Sequence, residues 1–318
     1  MGIVSSTRPA LPQLAGGPFI TDGGIETDLI FHGGFDLPHF AAFVLFDEPG
    51  GVDALHGYFR RYVLLARDHG VGVVLDTPTW RASSDWGELL GYSSERLTAV
   101  NRRAAALLEE FRSDGVDVVI SGCVGPRGDG YEPEFCMTAD QAEEYHAPQI
   151  QTFADTPADM VTALTLSYPE EAIGIVRAAV AAGIPVVISF TVETDGRLAN
   201  GRPLLEAIAE VDCQTETAAE YFMINCAHPA HFADVLLAGG VELERIRGLR
   251  ANASAKSHAE LDESDELDEG DPTDLARRYQ ELSARLPQLT VLGGCCGTDH
   301  RHIAAVCEAR SGSGSNDG

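Results

Sequence analysis

Two apolar runs in this chain end in cysteine. Val291-Leu-Gly-Gly-Cys-Cys-Gly-Thr298 sets Cys295 and Cys296 side by side behind two glycines, and Met223-Ile-Asn-Cys226 supplies a third thiol. Adjacent cysteines rarely bridge each other without strain. Both can turn toward one soft metal ion where the backbone bends, and Gly293, Gly294 and Gly297 permit a bend. Three thiolates from two strand ends make a zinc site with one coordination position open, which is the pattern of a catalytic rather than a structural zinc. Such an ion favours thiolates over thiols and would activate a substrate thiol in the same way. Cys123, Cys136, Cys213 and Cys307 read as ordinary small side chains. Seven cysteines, an odd count, with no N-terminal secretion signal argue against a disulfide framework and fit a reducing cytoplasm.

The elements that would carry these thiols are repetitive. Eight short runs read as strands. They start at Pro18, Val71, Val116, Met160, Pro185, Tyr221, Ile246 and Leu289, and most are followed by a helical segment. Among the helices, 51–70 carries a stripe of Leu55, Phe59, Tyr62, Val63 and Ala66. The next, 94–114, is capped at Ser94, and 138–155 opens with a Thr138-Ala-Asp-Gln141 capping box. Strands that are apolar throughout, rather than alternating, fit a parallel sheet covered on both faces. Eight such units predict a single (β/α)8 TIM barrel over 18–310, with its active site at the C-terminal ends of the strands. The rival is an open doubly wound sheet. Residues 1–17 read as a loose lead-in, 256–274 as an acidic solvated loop and 311–318 as a flexible tail.

Composition excludes several roles. The chain has 318 residues and a formal charge of −27, with Lys256 its single lysine. Such a surface repels nucleic acid and anionic membranes, and no apolar run is long enough to span a bilayer. The acidity fits a halophilic, salt-adapted protein; a merely acidic cytosolic protein is the plainer alternative. The oligomeric state is not written in the sequence.

Gly293-Gly-Cys-Cys-Gly-Thr298 with His302-Ile303, together with Ile224-Asn-Cys226 and Thr21-Asp-Gly-Gly24, resembles the zinc-dependent homocysteine S-methyltransferases. The resemblance runs from about Phe19 to Cys307, with weaker matches at Ser121-Gly-Cys-Val-Gly-Pro126, Pro185-Val-Val-Ile-Ser-Phe190 and Arg250-Ala-Asn-Ala-Ser254. It implies a (β/α)8 barrel and Zn2+ on Cys226, Cys295 and Cys296. It also implies methyl transfer from a small onium donor, such as S-methylmethionine or betaine, to the thiol of L-homocysteine, giving methionine. Asp22, Gly23 and Gly24 match the segment that helps hold the amino-acid end of the substrate. No catalytic residue is expected beyond the metal site, because methyl transfer to a thiolate asks for alignment and a lowered thiol pKa more than for acid–base work. His228, His231, His300 and His302 then read as loop or supporting residues around a ligand set that three cysteines and the substrate complete. Trp80, Trp86 and Phe190 are candidates to face a cationic donor, with ordinary packing as the alternative.

One departure stands out. The family usually carries Glu-Thr at the end of the fourth strand, where the carboxylate helps bind the substrate ammonium; here Leu164 occupies that place. Glu26, in Asp22-Gly-Gly-Ile-Glu26-Thr27, stands where many members carry a small residue and is expected, with Asp22, to take over that contact. The competing readings are a methyltransferase for another small thiol and a zinc hydrolase on the same barrel. The hydrolase is disfavoured, because hydrolases prefer histidine and carboxylate ligands.

Overall fold

The computed structural model describes residues 10–113, 115–131, 135–262 and 266–312. Eight parallel strands close into a barrel in sequence order: β1 (Phe19–Thr21), β2 (Gly72–Asp76), β3 (Val118–Val124), β4 (Met160–Leu166), β5 (Val186–Phe190), β6 (Tyr221–Asn225), β7 (Ile246–Ala251) and β8 (Val291–Gly294). β8 closes on β1 through Phe19↔Val291 and Ile20↔Leu292. Every strand residue except Arg247 is buried, as a sheet enclosed by helices requires. The expected (β/α)8 barrel is therefore the observed one, and the open sheet is excluded.

Eight principal helices follow the strands: α1 (Gly51–His69), α2 (Ser94–Glu109), α3 (Ala139–Ala154), α4 (Pro169–Ala182), α5 (Leu204–Gln214), α6 (Pro229–Leu237), α7 (Pro272–Arg285) and α8 (His300–Gly312). Their apolar stripes pack on the outside of the barrel. Leu55, Phe59, Tyr62, Val63 and Ala66 of α1 are each fully buried, as 3.6-residue periodicity demands. The capping box of α3 forms, with Gln141 N donating to Thr138 Oγ1 and Thr138 N to Gln141 Oε1. The cap of α2 is Ser93, not Ser94: its Oγ accepts from Arg96 N.

The described end of the lead-in is not loose. Pro12–Ala15 forms a 3-10 turn beneath the barrel. Gln13 is fully buried and its Nε2 donates to Tyr221 Oη at 3.4 Å. Leu11 joins Phe19, Val74, Val119, Met160 and Tyr221 in an apolar plug inside the barrel floor. The acidic segment 256–274 contains a short helix, His258–Asp262, and α7 begins within it at Pro272. Most of the tail, 313–318, lies outside the described residues. Among the described residues, no helix is long and apolar enough to cross a membrane.

Candidate metal and substrate site

A cavity of about 480 Å3 opens at the C-terminal end of the barrel. Cys226, Cys295 and Cys296 lie on its wall, with their three Sγ atoms within 4.8 Å of one another. The sulfurs of Cys226 and Cys295 are joined as a disulfide. Metal ligation needs both as thiolates, so the metal-bearing form of the site is the reduced one.

Local backbone geometry makes the convergence possible. Cys226 follows β6 directly, in the left-handed region at φ 54°, and Thr165 near the end of β4 does the same at φ 67°. Conformations of that kind cost of order 1–3 kcal/mol each for non-glycine residues and survive only where the surroundings fix them. Asn225 does the fixing. Its Oδ1 accepts from Thr165 N at 2.8 Å and Ser189 Oγ at 2.6 Å, and its Nδ2 donates to Thr165 Oγ1 at 2.8 Å. The same Nδ2 lies 3.9 Å from Cys295 Sγ, and Thr165 Oγ1 lies 3.9 Å from Cys226 Sγ. Both are donors aimed at sulfur. From the other side Asn252 Nδ2 donates to the Cys226 carbonyl at 2.9 Å.

The glycines around Cys295 act differently from one another. Gly297 takes φ 77° and makes the turn, whereas Gly293 and Gly294 are strand residues whose missing side chains leave room for Thr21 and Thr298. Gly24 serves close approach: a Cβ there would lie 2.6 Å from the Cys295 carbonyl oxygen. The turn after β1 therefore packs directly on the backbone of the double cysteine.

Below the sulfurs sits a buried charge cluster. Arg250 Nη2 donates to Asp22 Oδ1 at 2.7 Å, its Nη1 pairs with Asp76, and its Nε donates to the Gly294 carbonyl. Tyr58 Oη donates to Asp22 Oδ2 at 3.1 Å. Two carboxylates share one guanidinium, so the cluster keeps one net negative charge. Burial pushes the Asp22 carboxyl up to about 6, against the opposing pull of Arg250. Both Asp22 oxygens are thus committed to protein partners, and Asp22 sets up the site more than it reaches out of it. Sequence reading noticed Arg250 only as part of a motif.

Glu26 is different. It stands on the cavity wall, half-buried, and its carboxylate turns to its own backbone N–H. Burial, with the Asp22 charge adding to it, lifts its carboxyl to about 7. Leu164 shares the wall. It sits with Thr165 where the β4–β5 register slips between Ala163 and Leu166, an irregularity that re-aims side chains at the strand end. The lining holds six carboxylates, Asp22, Glu26, Asp76, Asp129, Glu266 and Asp268, against two guanidiniums, Arg81 and Arg250. The last two acids, with Leu261 and Leu267, belong to the acidic segment, which walls the site.

The other candidates separate cleanly. Trp80 and Trp86 line the cavity; Phe190 does not, being fully buried and stacked on Phe222 with centroids 6.3 Å apart. None of His228, His231, His300 and His302 belongs to the cysteine cluster or the cavity lining. His228 caps α6 through Nδ1, and burial pulls its pKa down to about 4. His302 ties the acidic segment down through the Glu269 carbonyl at 2.8 Å. Cys123, read as packing, is 3% exposed at the cavity edge, its thiol pushed well above the usual range by burial.

The soft donor set and the two hydrogen-bond donors beside it fit a thiophilic metal such as zinc. Residues 19–310 match the sequence model of the family described as homocysteine S-methyltransferase. Betaine–homocysteine S-methyltransferase 1 of Danio rerio is 25% identical over 98% of this chain and 78% of its own length. Homocysteine S-methyltransferase 4 of Zea mays is 25% identical over 93% of this chain and 90% of its own length. Among solved structures, the metallated homocysteine methyltransferase MmuM of Escherichia coli superposes with a TM-score of 0.70 at 19% identity, covering 92% of this chain and 96% of that one. At that identity the likeness concerns the fold.

Proposed function

This chain belongs to the homocysteine S-methyltransferase family, and from that premise we propose that it moves a methyl group from a small onium donor to the thiol of L-homocysteine, with zinc held by Cys226, Cys295 and Cys296. The observation that carries the reading is the meeting of three sulfurs from two strand ends on the wall of an acidic cavity. Zinc bound there would supply Lewis acidity that favours the substrate thiol as thiolate at neutral pH.

The chain's own residues do the rest. Asn225 and Thr165 orient the cysteine sulfurs and disperse their negative charge. The Asp22–Arg250–Asp76 cluster holds the ends of β1, β2 and β7 in register beneath them. Glu26 receives the homocysteine ammonium, the role that Leu164 cannot fill. Its carboxyl, raised to about 7 in the free cavity, falls again once a cation sits beside it. The carboxylate-rich wall complements a cationic donor and loses that attraction once the methyl has left and the donor is neutral, which favours release. Soluble small molecules, not nucleic acid or membrane, are the partners such a cavity takes.

Turnover of L-homocysteine and 3-mercaptopropionate, in the wild type and in Glu26→Gln, tests the assignment. The expected result is preference for homocysteine, weakened in Glu26→Gln. Preference for the amine-free thiol, with homocysteine turnover untouched by Glu26→Gln, would show that the acceptor is a different thiol.

A further inference from the structure

His258 opens the short helix of the acidic segment and lines the cavity, half-buried. Its ring stacks on Tyr131 with centroids 4.0 Å apart and planes at 26°. Tyr131 lies beyond β3 and His258 beyond β7, four strands apart in a closed ring of eight. The stack therefore joins opposite sides of the mouth and holds the imidazole over the cavity.

Hydrogen bonds fix which of its nitrogens can act. Nε2 lies 3.4 Å from the Val192 carbonyl and 3.4 Å from Thr191 Oγ1. A carbonyl only accepts, so Nε2 carries the proton and Nδ1 keeps its lone pair. Among the described residues Nδ1 has no hydrogen-bond partner, and it is open to solvent. Thr191 Oγ1 also donates to the Cys226 carbonyl at 3.5 Å, so the imidazole stands one side chain away from a cysteine of the cluster. Burial holds its pKa below the usual imidazole range. His231 on α6 adds to that, while the Val192 carbonyl and Asp129, in the loop after β3, oppose it. The ring is therefore neutral at pH 7.

The reaction has a proton to place. A thiol with its ordinary pKa of about 8.5 is mostly protonated at pH 7. The cavity opposes its ionisation, because six carboxylates stand against two guanidiniums in the lining and a thiolate adds to that negative charge. A neutral base that becomes a cation beside the thiolate offsets both. The carboxylates suit this poorly. Asp22 and Asp76 are paired with Arg250, Asp268 accepts from Ser254 Oγ and Gly270 N, and an ordinary carboxylate is too weak a base for a thiol. An imidazole is matched to the task.

We propose that His258 is the catalytic base that takes the thiol proton of the acceptor and holds it as imidazolium until the methyl has moved. This rests on the methyltransferase reading above. The S–H bond breaks toward Nδ1 and leaves its electron pair on sulfur. That pair forms the new S–CH3 bond as the donor's C–S+ or C–N+ bond breaks, and the broken bond's pair stays on the departing sulfur or nitrogen. The proton then passes from His258 to solvent, and the imidazole is neutral again.

The test uses the full-length, reduced, zinc-loaded enzyme with L-homocysteine. With no methyl donor present, nitrogen-15 histidine NMR at pH 7 reads the charge of His258, assigned from the spectra of His258→Gln and His258→Ala. The expected result is a neutral ring in the free enzyme and an imidazolium once homocysteine is bound; a ring that stays neutral overturns the proposal. Methyl transfer from S-methyl-L-methionine and from betaine is then followed from about pH 6 to pH 9. His258→Gln should lower kcat/KM for homocysteine by about a hundredfold at pH 7, the low end for a general base, and the loss should shrink as pH rises and the thiol ionises unaided. Free imidazole should restore part of the activity of His258→Ala, and zinc content should stay at the wild-type level in both variants. A loss that is equal at every pH and that imidazole does not relieve would give His258 a merely structural role and overturn the proposal. Should the variants fail to fold, the number of imidazolium rings that the wild type gains on binding homocysteine decides: one supports the proposal and none overturns it. If no donor is consumed, the methyltransferase reading has failed, and the NMR result still decides whether His258 takes the thiol proton.

Discussion

The two ends of this barrel are built from opposite materials. At the floor, Leu11, Phe19, Met160 and Tyr221 fill the interior with apolar volume, and a 3-10 turn closes it. At the mouth, six carboxylates, two arginines and four cysteines face an open cavity. The floor gains stability from removing apolar surface from water. The mouth spends part of it on a shared, buried guanidinium, on two residues held in the left-handed region and on a carboxyl lifted to about 7. The difference teaches that in one chain the residues that fold the barrel and those that act are separated along the strand direction, as the architecture permits.

The comparison breaks most visibly at the floor. Tyr221→Ala removes a fully buried ring and should cost about 3–5 kcal/mol of stability, read by chemical denaturation, while turnover per folded molecule and both KM values stay close to wild type. A selective rise in either KM would mean that floor and mouth are coupled.

Glu26→Gln should do the reverse. The homocysteine KM should rise at least about tenfold, the loss of one charged hydrogen bond, and stability should improve at high pH. The folded-state pKa of about 7 lies above the ordinary 4.5. Between those values the unfolded chain gives up its proton first, so the wild type loses stability as pH rises through that window. The variant should therefore melt higher than the wild type at pH 8 and equally at pH 4. A variant that melts lower at pH 8 would show Glu26 paired with a cation of the protein after all.

A smaller effect concerns the whole surface. With a formal charge of −27, self-repulsion should be screened as salt rises, lifting the melting temperature by a few degrees from low to molar potassium chloride. A flat profile would leave the acidity of the mouth as a local feature of the site and count against salt adaptation.

How far the sequence was readable follows the same division. Apolar runs ending in glycine or cysteine announce the strands and the cysteines that meet at the mouth, because burial and thiol placement at strand ends are both local in sequence. The segment between β1 and α1 escaped, since its π-turn at Asp28–His32 and its 3-10 turns carry no helical period. The short helix Ser84–Leu89 was likewise too brief to show one. Strand β3 runs through the Ser121-Gly pair to Val124, because a closed barrel pairs those residues with β4. Arg250 was legible as a motif but not as the partner of Asp22 and Asp76, both distant in the chain and brought near only by closure of the barrel. Trp80 and Trp86 are open between facing the cavity and ordinary packing, with packing the stronger reading for Trp86; both line the cavity, and nothing in their spacing says that Arg81 folds back between them. Phe190 failed as a site residue because its side chain points into the packing against Phe222 rather than into the mouth.

The central claim is that the mouth is a three-thiolate metal site that the barrel can fold without. Metal content of the reduced wild type and of Cys226→Ser, Cys295→Ser and Cys296→Ser, measured together with far-UV circular dichroism and methyl transfer, tests it most directly. The account predicts one zinc per wild-type chain, and in each single variant the loss of most metal and nearly all activity with the barrel spectrum kept. Full zinc retention in all three variants would contradict it.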